Sequence, residues 1–316
     1  MCEISVVMAV RNGGKFIERT LQSILSQTYT DIEVIVIDDG STDDTAKIVS
    51  FYSQTDHRVV LTINPGLPGN AHARNYGVSL STGKWIAICD ADDTWVPEKL
   101  GRQVSFRDNW NGIHPLVAIG TAGWTMNERD KVVSPLDACP LNVEEFYGLT
   151  RNCEPLMLHH SSVIFEKSAF VSVGGYREDY MGAEDTELFT RLAQRGVVLS
   201  IPDRLFYYRK HLGSFQLSKT RMQLLNLIRI RENALRTKVG LQCVDYDEFV
   251  QEFFKKMAWG EKVAFRMKCR GKYLYRIGAI NAANSRYVKG GLCLILAAFC
   301  DFRLVAASVK RVIRLE

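Results

Sequence analysis

The chain opens on Ile4-Ser5-Val6-Val7-Met8-Ala9-Val10, β-branched and apolar almost without interruption. Such a run predicts a strand covered on both faces, because a half-exposed strand would alternate apolar with polar positions. After the turn Asn12-Gly13-Gly14, apolar residues Ile17, Leu21, Ile24 and Leu25 recur at helical spacing through Gln27. A second strand, Ile32 to Ile37, ends in Asp38-Asp39-Gly40-Ser41-Thr42, where Ser41 or Thr42 is positioned to cap a helix carrying Ala46, Ile48 and Val49. A third strand, Val59 to Ile63, is followed by a Gly/Pro-rich loop, a helix through Ala73, Tyr76 and Leu80, and a fourth strand, Trp85 to Cys89. The alternation predicts a doubly wound α/β layer with a mostly parallel sheet and helices on both faces. Ligands of such sheets bind beyond the carboxyl ends of the strands, and Asn12, Asp39 and Asp90 all fall there.

The pattern then loosens. It predicts a helix from Pro97 to about Asp108, a strand near Leu116 to Thr121, and a strand at Ser161 to Phe165. Residues 126–149 are too polar and turn-rich to assign. A turn at Gly174-Gly175-Tyr176 precedes a helix opened by Glu184-Asp185, and Val197 to Ile201 reads as a short strand. From about Phe215 onward the periodicity is helical, with Leu224, Leu227, Ile228 and Ile230 on one helix and Val250, Phe253, Phe254 and Met257 on another.

Charge changes the picture at the C-terminus. The net charge is +5, yet from Gln251 onward fourteen Lys and Arg face four Asp and Glu, which leaves the first 250 residues at −5. A basic tail of this kind suits an anionic membrane surface or nucleic acid. The longest apolar stretch, Gly291 to Cys300, has ten residues, about half of a membrane span, and so predicts an interfacial helix and no transmembrane segment. The eight cysteines include no C-x-x-C pair and no Cys/His metal spacing, and read as reduced and mostly buried in a cytoplasmic chain. No signal peptide is expected.

The candidate chemistry centres on Asp90-Ala91-Asp92-Asp93, three carboxylates at the exit of an apolar strand. Acids so close repel one another and need cationic balance, either a divalent metal or Lys and Arg. Asp90 and Asp92 lie on one side of an extended segment and can converge on one ion. Equally, these acids could cap and charge the start of the next helix.

Taken together, these motifs resemble the family 2 glycosyltransferases, inverting enzymes of the GT-A fold that include bacterial surface-polysaccharide transferases. The resemblance covers roughly residues 3 to 212 and rests on Val10-Arg11-Asn12, Asp38-Asp39-Gly40-Ser41, Ala73-Arg74-Asn75-x-Gly77, Asp90-Ala91-Asp92-Asp93, Gly174-Gly175-Tyr176 and Glu184-Asp185 in order. The first motif departs from the usual Pro-x-Tyr-Asn, so an aromatic stack on the donor base is not expected. The resemblance implies a catalytic domain over 1–213, with a nucleotide-binding half at 1–95 and an acceptor-side half at 96–213. A basic, mainly helical region would follow at 214–316.

The activity implied is metal-dependent transfer from a nucleotide-sugar, most simply a UDP-sugar, to a hydroxyl of a glycan or lipid-linked acceptor in polysaccharide biosynthesis. The implied donor set is Ala9, Arg11, Asn12, Asp38, Asp39, Arg74, Asp90, Ala91 and Asp92, with Asp39 reading a pyrimidine N–H. Asp92 would hold Mn2+ or Mg2+, with His211 as a further ligand, and Asp185 would be the general base. Glu184, His160 and Arg209 would support the acceptor side. Expected partners are the two substrates and, through the basic tail, the inner face of the cytoplasmic membrane; a homodimer is admitted and nucleic acid is not expected. Two rivals remain: a nucleotidyltransferase, whose Gly-rich loop after the first strand Arg11-Asn12-Gly13-Gly14 imitates poorly, and a basic nucleic-acid-binding protein, whose charge would not be confined to the tail.

Overall fold

Strand β1 (Ile4–Val10) lies between β2 (Ile32–Asp38) and β4 (Trp85–Ile88), parallel to both, and β3 (Val59–Ile63) extends the sheet parallel to β2. Six of the seven residues of β1 are buried, which explains why the strand carries no polar alternation. The computed structural model describes residues 2–213 and 219–301. Within them it forms a sheet of nine strands in the order β3-β2-β1-β4, then β8 (Ile164–Glu166), β6 (Leu116–Met126), β9 (Val197–Arg209) and β5 (Thr94–Trp95), with β7 (Val132–Leu136) paired to β6.

The sheet changes character at β4. Strand β8 (Ile164–Glu166) runs antiparallel to both β4 and β6 (Leu116–Met126), and β5 (Thr94–Trp95) runs antiparallel to β9 (Val197–Arg209). The short strand expected at Val197 to Ile201 is thus the first part of a thirteen-residue strand. The strand expected from Ser161 begins at Ile164, because His160–Ser162 forms a 3-10 turn.

The helices of this part are α1 (Ile17–Leu25), α2 (Thr45–Thr55), α3 (Asn70–Leu80), α4 (Lys99–Asp108), α5 (Val143–Arg151), α6 (Lys167–Ser172) and α7 (Glu184–Leu192). The cap expected from Ser41 or Thr42 is not formed: the N-cap residue of α2 is Asp44, which makes no side-chain cap bond, and Asp43 before it accepts from Thr45 N at 3.1 Å. In the stretch that sequence left unassigned, Asn142 caps α5 by accepting from Glu145 N at 2.9 Å. Helix α3 lies close on the sheet: a Cβ on Gly77 would stand 2.4 Å from Ile37 Cδ1, and this approach carries Arg74 to the strand ends.

The chain divides into two units. The first comprises Met1–Thr125, Ser134–Glu178 and Glu184–Tyr208; the second takes Met126–Val133, Asp179–Ala183 and the chain from Arg209 onward. The second unit contains α8 (Thr220–Lys238), α9 (Tyr246–Lys255), α10 (Trp259–Ala283) and α11 (Tyr287–Cys300). Buried Leu225, Val244 and Phe249 form one small core there. Arg229, buried on α8, pairs with Asp179, donates to Val244 O at 3.1 Å and stacks 3.9 Å over Tyr180.

Candidate active site

The loops leaving β1 and β2 are latched together. Asn12, at φ 55°, accepts from Thr42 N at 2.8 Å, while its own N–H donates to Ser41 Oγ at 2.9 Å. Gly13 N and Gly14 N donate to Thr45 Oγ1 and Asp43 Oδ2 at 2.9 and 3.0 Å. Asn12 therefore sets the shape of the loop, and Arg11 beside it is exposed. Asp38 is buried and accepts from Ser41 N at 2.8 Å, closing the turn that presents Asp39.

Asp39 is buried too, and each oxygen already accepts one bond: Oδ1 from Asn64 Nδ2 at 2.6 Å, Oδ2 from Gly69 N at 2.9 Å. An ionised carboxylate has about four acceptor positions, so one N–H of a ligand can still be read there. Asp39 thereby ties the Gly/Pro-rich loop 64–69 to the sheet edge, a contact that sequence spacing did not reveal.

After β4 the chain turns sharply, with Asp93 N donating to Asp90 O at 3.1 Å. The turn is held from two sides: Asp90 N donates to Ser161 Oγ at 3.0 Å, and Thr20 Oγ1 on α1 donates to Ala91 O at 3.0 Å. Trp95 Nε1 anchors the same Ser161 through its carbonyl at 2.8 Å. Ala9 and Ala91 are half-buried and packed against the main core. Beneath the turn, the buried Lys99 donates to Gln103 Oε1 at 2.9 Å and sits 3.9 Å over Trp95.

Asp90 and Asp92 are not equivalent. Asp90 Oδ1 lies 2.8 Å from Arg74 Nη2 and 3.4 Å from His160 Nδ1. Burial alone would raise the Asp90 carboxyl, but Arg74 and then His160 outweigh it and hold the group well below the usual carboxylate range. Arg74 in turn is desolvated, and Asp90, Tyr176 and Glu184 more than restore its charge. Asp92 is half-exposed at the mouth of the turn.

His160 continues the network. Its Nε2 lies 2.8 Å from Tyr176 Oη, and burial, the largest effect, pushes that phenol upward. Tyr176 is fixed through its backbone by Asn75, which accepts from Tyr176 N at 2.8 Å and donates to Tyr176 O at 2.9 Å. Arg191 clamps the preceding turn by donating to Val173 O and Gly175 O, and is itself paired with buried Glu187. Tyr176, Asn75 and Ser161 were not assigned site roles from sequence; the tyrosine after two glycines was the available signal.

Glu184 is buried at the start of α7, whereas Asp185 is half-exposed, its Oδ1 accepting from Thr186 N at 2.8 Å. Asp185 is close enough to His159 to raise its imidazole, although burial dominates and lowers it. Asp179, another acid of this stretch, is occupied by Arg229 in the second unit. Arg209 and His211 belong to that unit as well. Arg209 is fully buried, donates to Asn127 O at 3.2 Å and pairs with Asp130.

Among the described residues, no group of three or more His, Cys, Asp and Glu side chains is disposed to hold a metal. A hard divalent ion in a nucleotide site commonly takes one or two carboxylates and completes its shell with phosphate oxygens and water. A half-exposed carboxylate at a fixed turn, with its neighbour already neutralised, fits that mode.

A parallel half-sheet with acids gathered at its carboxyl edge, extended by an antiparallel half that presents a separate acid on α7, has the architecture of the GT-A fold. The sequence profile of glycosyl transferase family 2 matches residues 5–133. The UDP-Glc:alpha-D-GlcNAc-diphosphoundecaprenol beta-1,3-glucosyltransferase WfaP of Escherichia coli is 29% identical over 218 residues, covering 68% of this chain and 80% of its own. S. aureus TarS 1-349, solved in complex with UDP, aligns over 98% of this chain and 91% of its own with a TM-score of 0.54 at 15% identity. The mannosyltransferase PcManGT of Pyrobaculum calidifontis, solved with GDP-Man and Mn2+, aligns over 95% and 87% with a TM-score of 0.56 at 18% identity. At these identities the two structures speak for the fold.

Proposed function

We propose that this chain is a family 2 glycosyltransferase that moves a sugar from a UDP-sugar to a hydroxyl of a lipid-linked or growing glycan in polysaccharide biosynthesis, with inversion at the anomeric carbon. The observation that carries the reading is the unequal pair at the end of β4: Asp90 neutralised by Arg74, Asp92 half-exposed beside it. The relative WfaP, named for a UDP-Glc donor and a diphosphoundecaprenol-linked acceptor, supports the substrate classes.

In this account Asp39 accepts the ring N–H of the base, and the loop it holds covers the nucleoside. A buried carboxylate discriminates here because a base without that N–H leaves an acceptor unpaired. Arg74 holds Asp90 ionised and oriented for the ribose. Asp92 would hold Mn2+ or Mg2+, which when bound supplies charge stabilisation to the departing diphosphate. Asp185 takes the proton of the acceptor hydroxyl as the new glycosidic bond forms, on the face opposite the leaving group. Glu184 and His160 keep their neighbours in position.

The test is incubation of the protein with a panel of nucleotide-sugars, followed by release of nucleoside diphosphate with and without Mn2+. Metal-stimulated hydrolysis of one UDP-sugar above the other donors is expected. Turnover of none of them, or metal-independent turnover of all alike, would overturn the reading.

A further inference from the structure

The basic tail and the short apolar stretch that stand apart in the sequence are joined in the second unit. Helices α10 and α11 form an antiparallel hairpin in which Gly278 faces Leu294 and Gly290, and Gly271 meets Cys300 and Asp301. Gly290 and Ala297 are buried. The other face of α11 carries Val288, Leu292, Ile295, Leu296 and Phe299, all exposed, from 51% at Leu296 to 81% at Phe299. At about 100° per residue these five fall within an arc of roughly 100°, an apolar stripe along one side of the helix.

The stripe is set among positive charge. From Lys255 to Cys300 there are ten Lys and Arg and one acid, Glu261. Arg266, Lys268 and Arg270 are exposed on α10, and Arg286 and Lys289 are exposed where α11 begins. Among the described residues no helix is long and apolar enough to cross a membrane. Fourteen residues of α11 span about 21 Å, a length suited to lying in the headgroup region. A second copy of the chain would bring its own ten cations against these, whereas an anionic bilayer accepts both the stripe and the charge. Lys310, Arg311 and Arg314, read from sequence as part of the same tail, lie outside the described residues.

We propose that the α10–α11 hairpin docks this enzyme on an anionic lipid surface. The stripe Val288, Leu292, Ile295, Leu296 and Phe299 enters the interface, and Arg266, Lys268, Arg270, Arg286 and Lys289 lie among the headgroups. This deepens the lipid-linked acceptor reading, but lipid binding is measured without sugar transfer, so either can fail alone.

The test is flotation of the full chain with phosphatidylcholine vesicles, with and without phosphatidylglycerol. Leu292→Ser with Phe299→Ser removes apolar area only; Arg286→Gln with Lys289→Gln removes charge only. All four side chains are exposed, so melting temperatures and donor hydrolysis should stay at the level of the unaltered protein. The unaltered protein should float with the anionic vesicles only, and each double variant should partition about tenfold less or weaker. Undiminished flotation of both variants, or equal binding to neutral vesicles, would overturn the proposal. So would a dimer in lipid-free solution that the Leu292/Phe299 variant converts to monomer, because a second copy would then cover the stripe.

Discussion

Arg74 Nη2 stands 2.8 Å from Asp90 Oδ1 at the exit of β4, and this contact sets Asp90 apart from Asp92, two residues on. Two carboxylates two residues apart would otherwise compete for one ion and repel each other through the desolvated turn. With Asp90 paired to Arg74, Asp90 belongs to the protein's own charge network, while Asp92 is half-exposed at the mouth of the turn.

The contact has a pH signature. The Asp90 carboxyl is held below its ordinary value in the folded chain, so the folded state binds fewer protons than the unfolded chain as the pH drops. The stabilisation is fully present above the unfolded value of about 3.9 and is lost as pH falls through the lower folded value. Asp90→Asn should therefore melt below the unaltered protein by an amount that is level from about pH 8 to 5 and narrows below about pH 4. A gap that widens toward acid pH would contradict the assignment.

The turn that carries Tyr176 should be sensitive at one glycine more than at the other. Gly174 and Gly175 both have positive φ, at 81° and 69°, but a Cβ on Gly175 would also meet Asn75 Oδ1 at 2.7 Å, whereas Gly174 faces open space. Gly174→Ala should cost about 1 kcal/mol from backbone strain, and Gly175→Ala roughly 2–3 kcal/mol, because it also disturbs the two Asn75 bonds to Tyr176. Urea denaturation of the two variants measures the difference; equal losses would mean that Asn75 yields freely.

The parallel half of the fold was legible because each of its strands is buried on a continuous apolar run and separated by helices of clear period, Ile4–Val10 and Ile32–Asp38 above all. The antiparallel half was less so. Strand β9 continues through Pro202 and Asp203, residues that read as a break, and β7 is only half-buried, so neither presents a pattern that periodicity can detect. The acids of the site were visible as clusters at strand and helix ends. Their partners were not, because Arg74 reaches Asp90 across sixteen residues and Asn75 reaches Tyr176 across 101, distances that only the packing of α3 closes. Charge counting foresaw the basic tail, but not that the apolar face of α11 would be left uncovered.

Divalent metal should act through Asp92. Asp92→Ala is expected to weaken UDP binding in the presence of Mn2+ by about tenfold or more, and to change it little in EDTA, since only the metal-mediated part of the contact is removed. Isothermal titration under the two conditions separates this from a structural role, in which the losses would be equal with and without metal.

The central claim is that the half-exposed Asp185 at the head of α7 is the general base, and one comparison tests it most directly. Asp185→Asn keeps the size of the side chain and the oxygen that accepts from Thr186 N. Transfer to a hydroxyl acceptor and affinity for the nucleotide-sugar should be measured on this variant and on the unaltered protein. The account predicts that transfer falls by about 10²–10⁴-fold, the contribution of a positioned base, while donor affinity stays within a few-fold. Near-normal transfer by the Asn variant, or a loss of donor binding as large as the loss of turnover, would contradict it and turn attention to the buried Glu184 beside it.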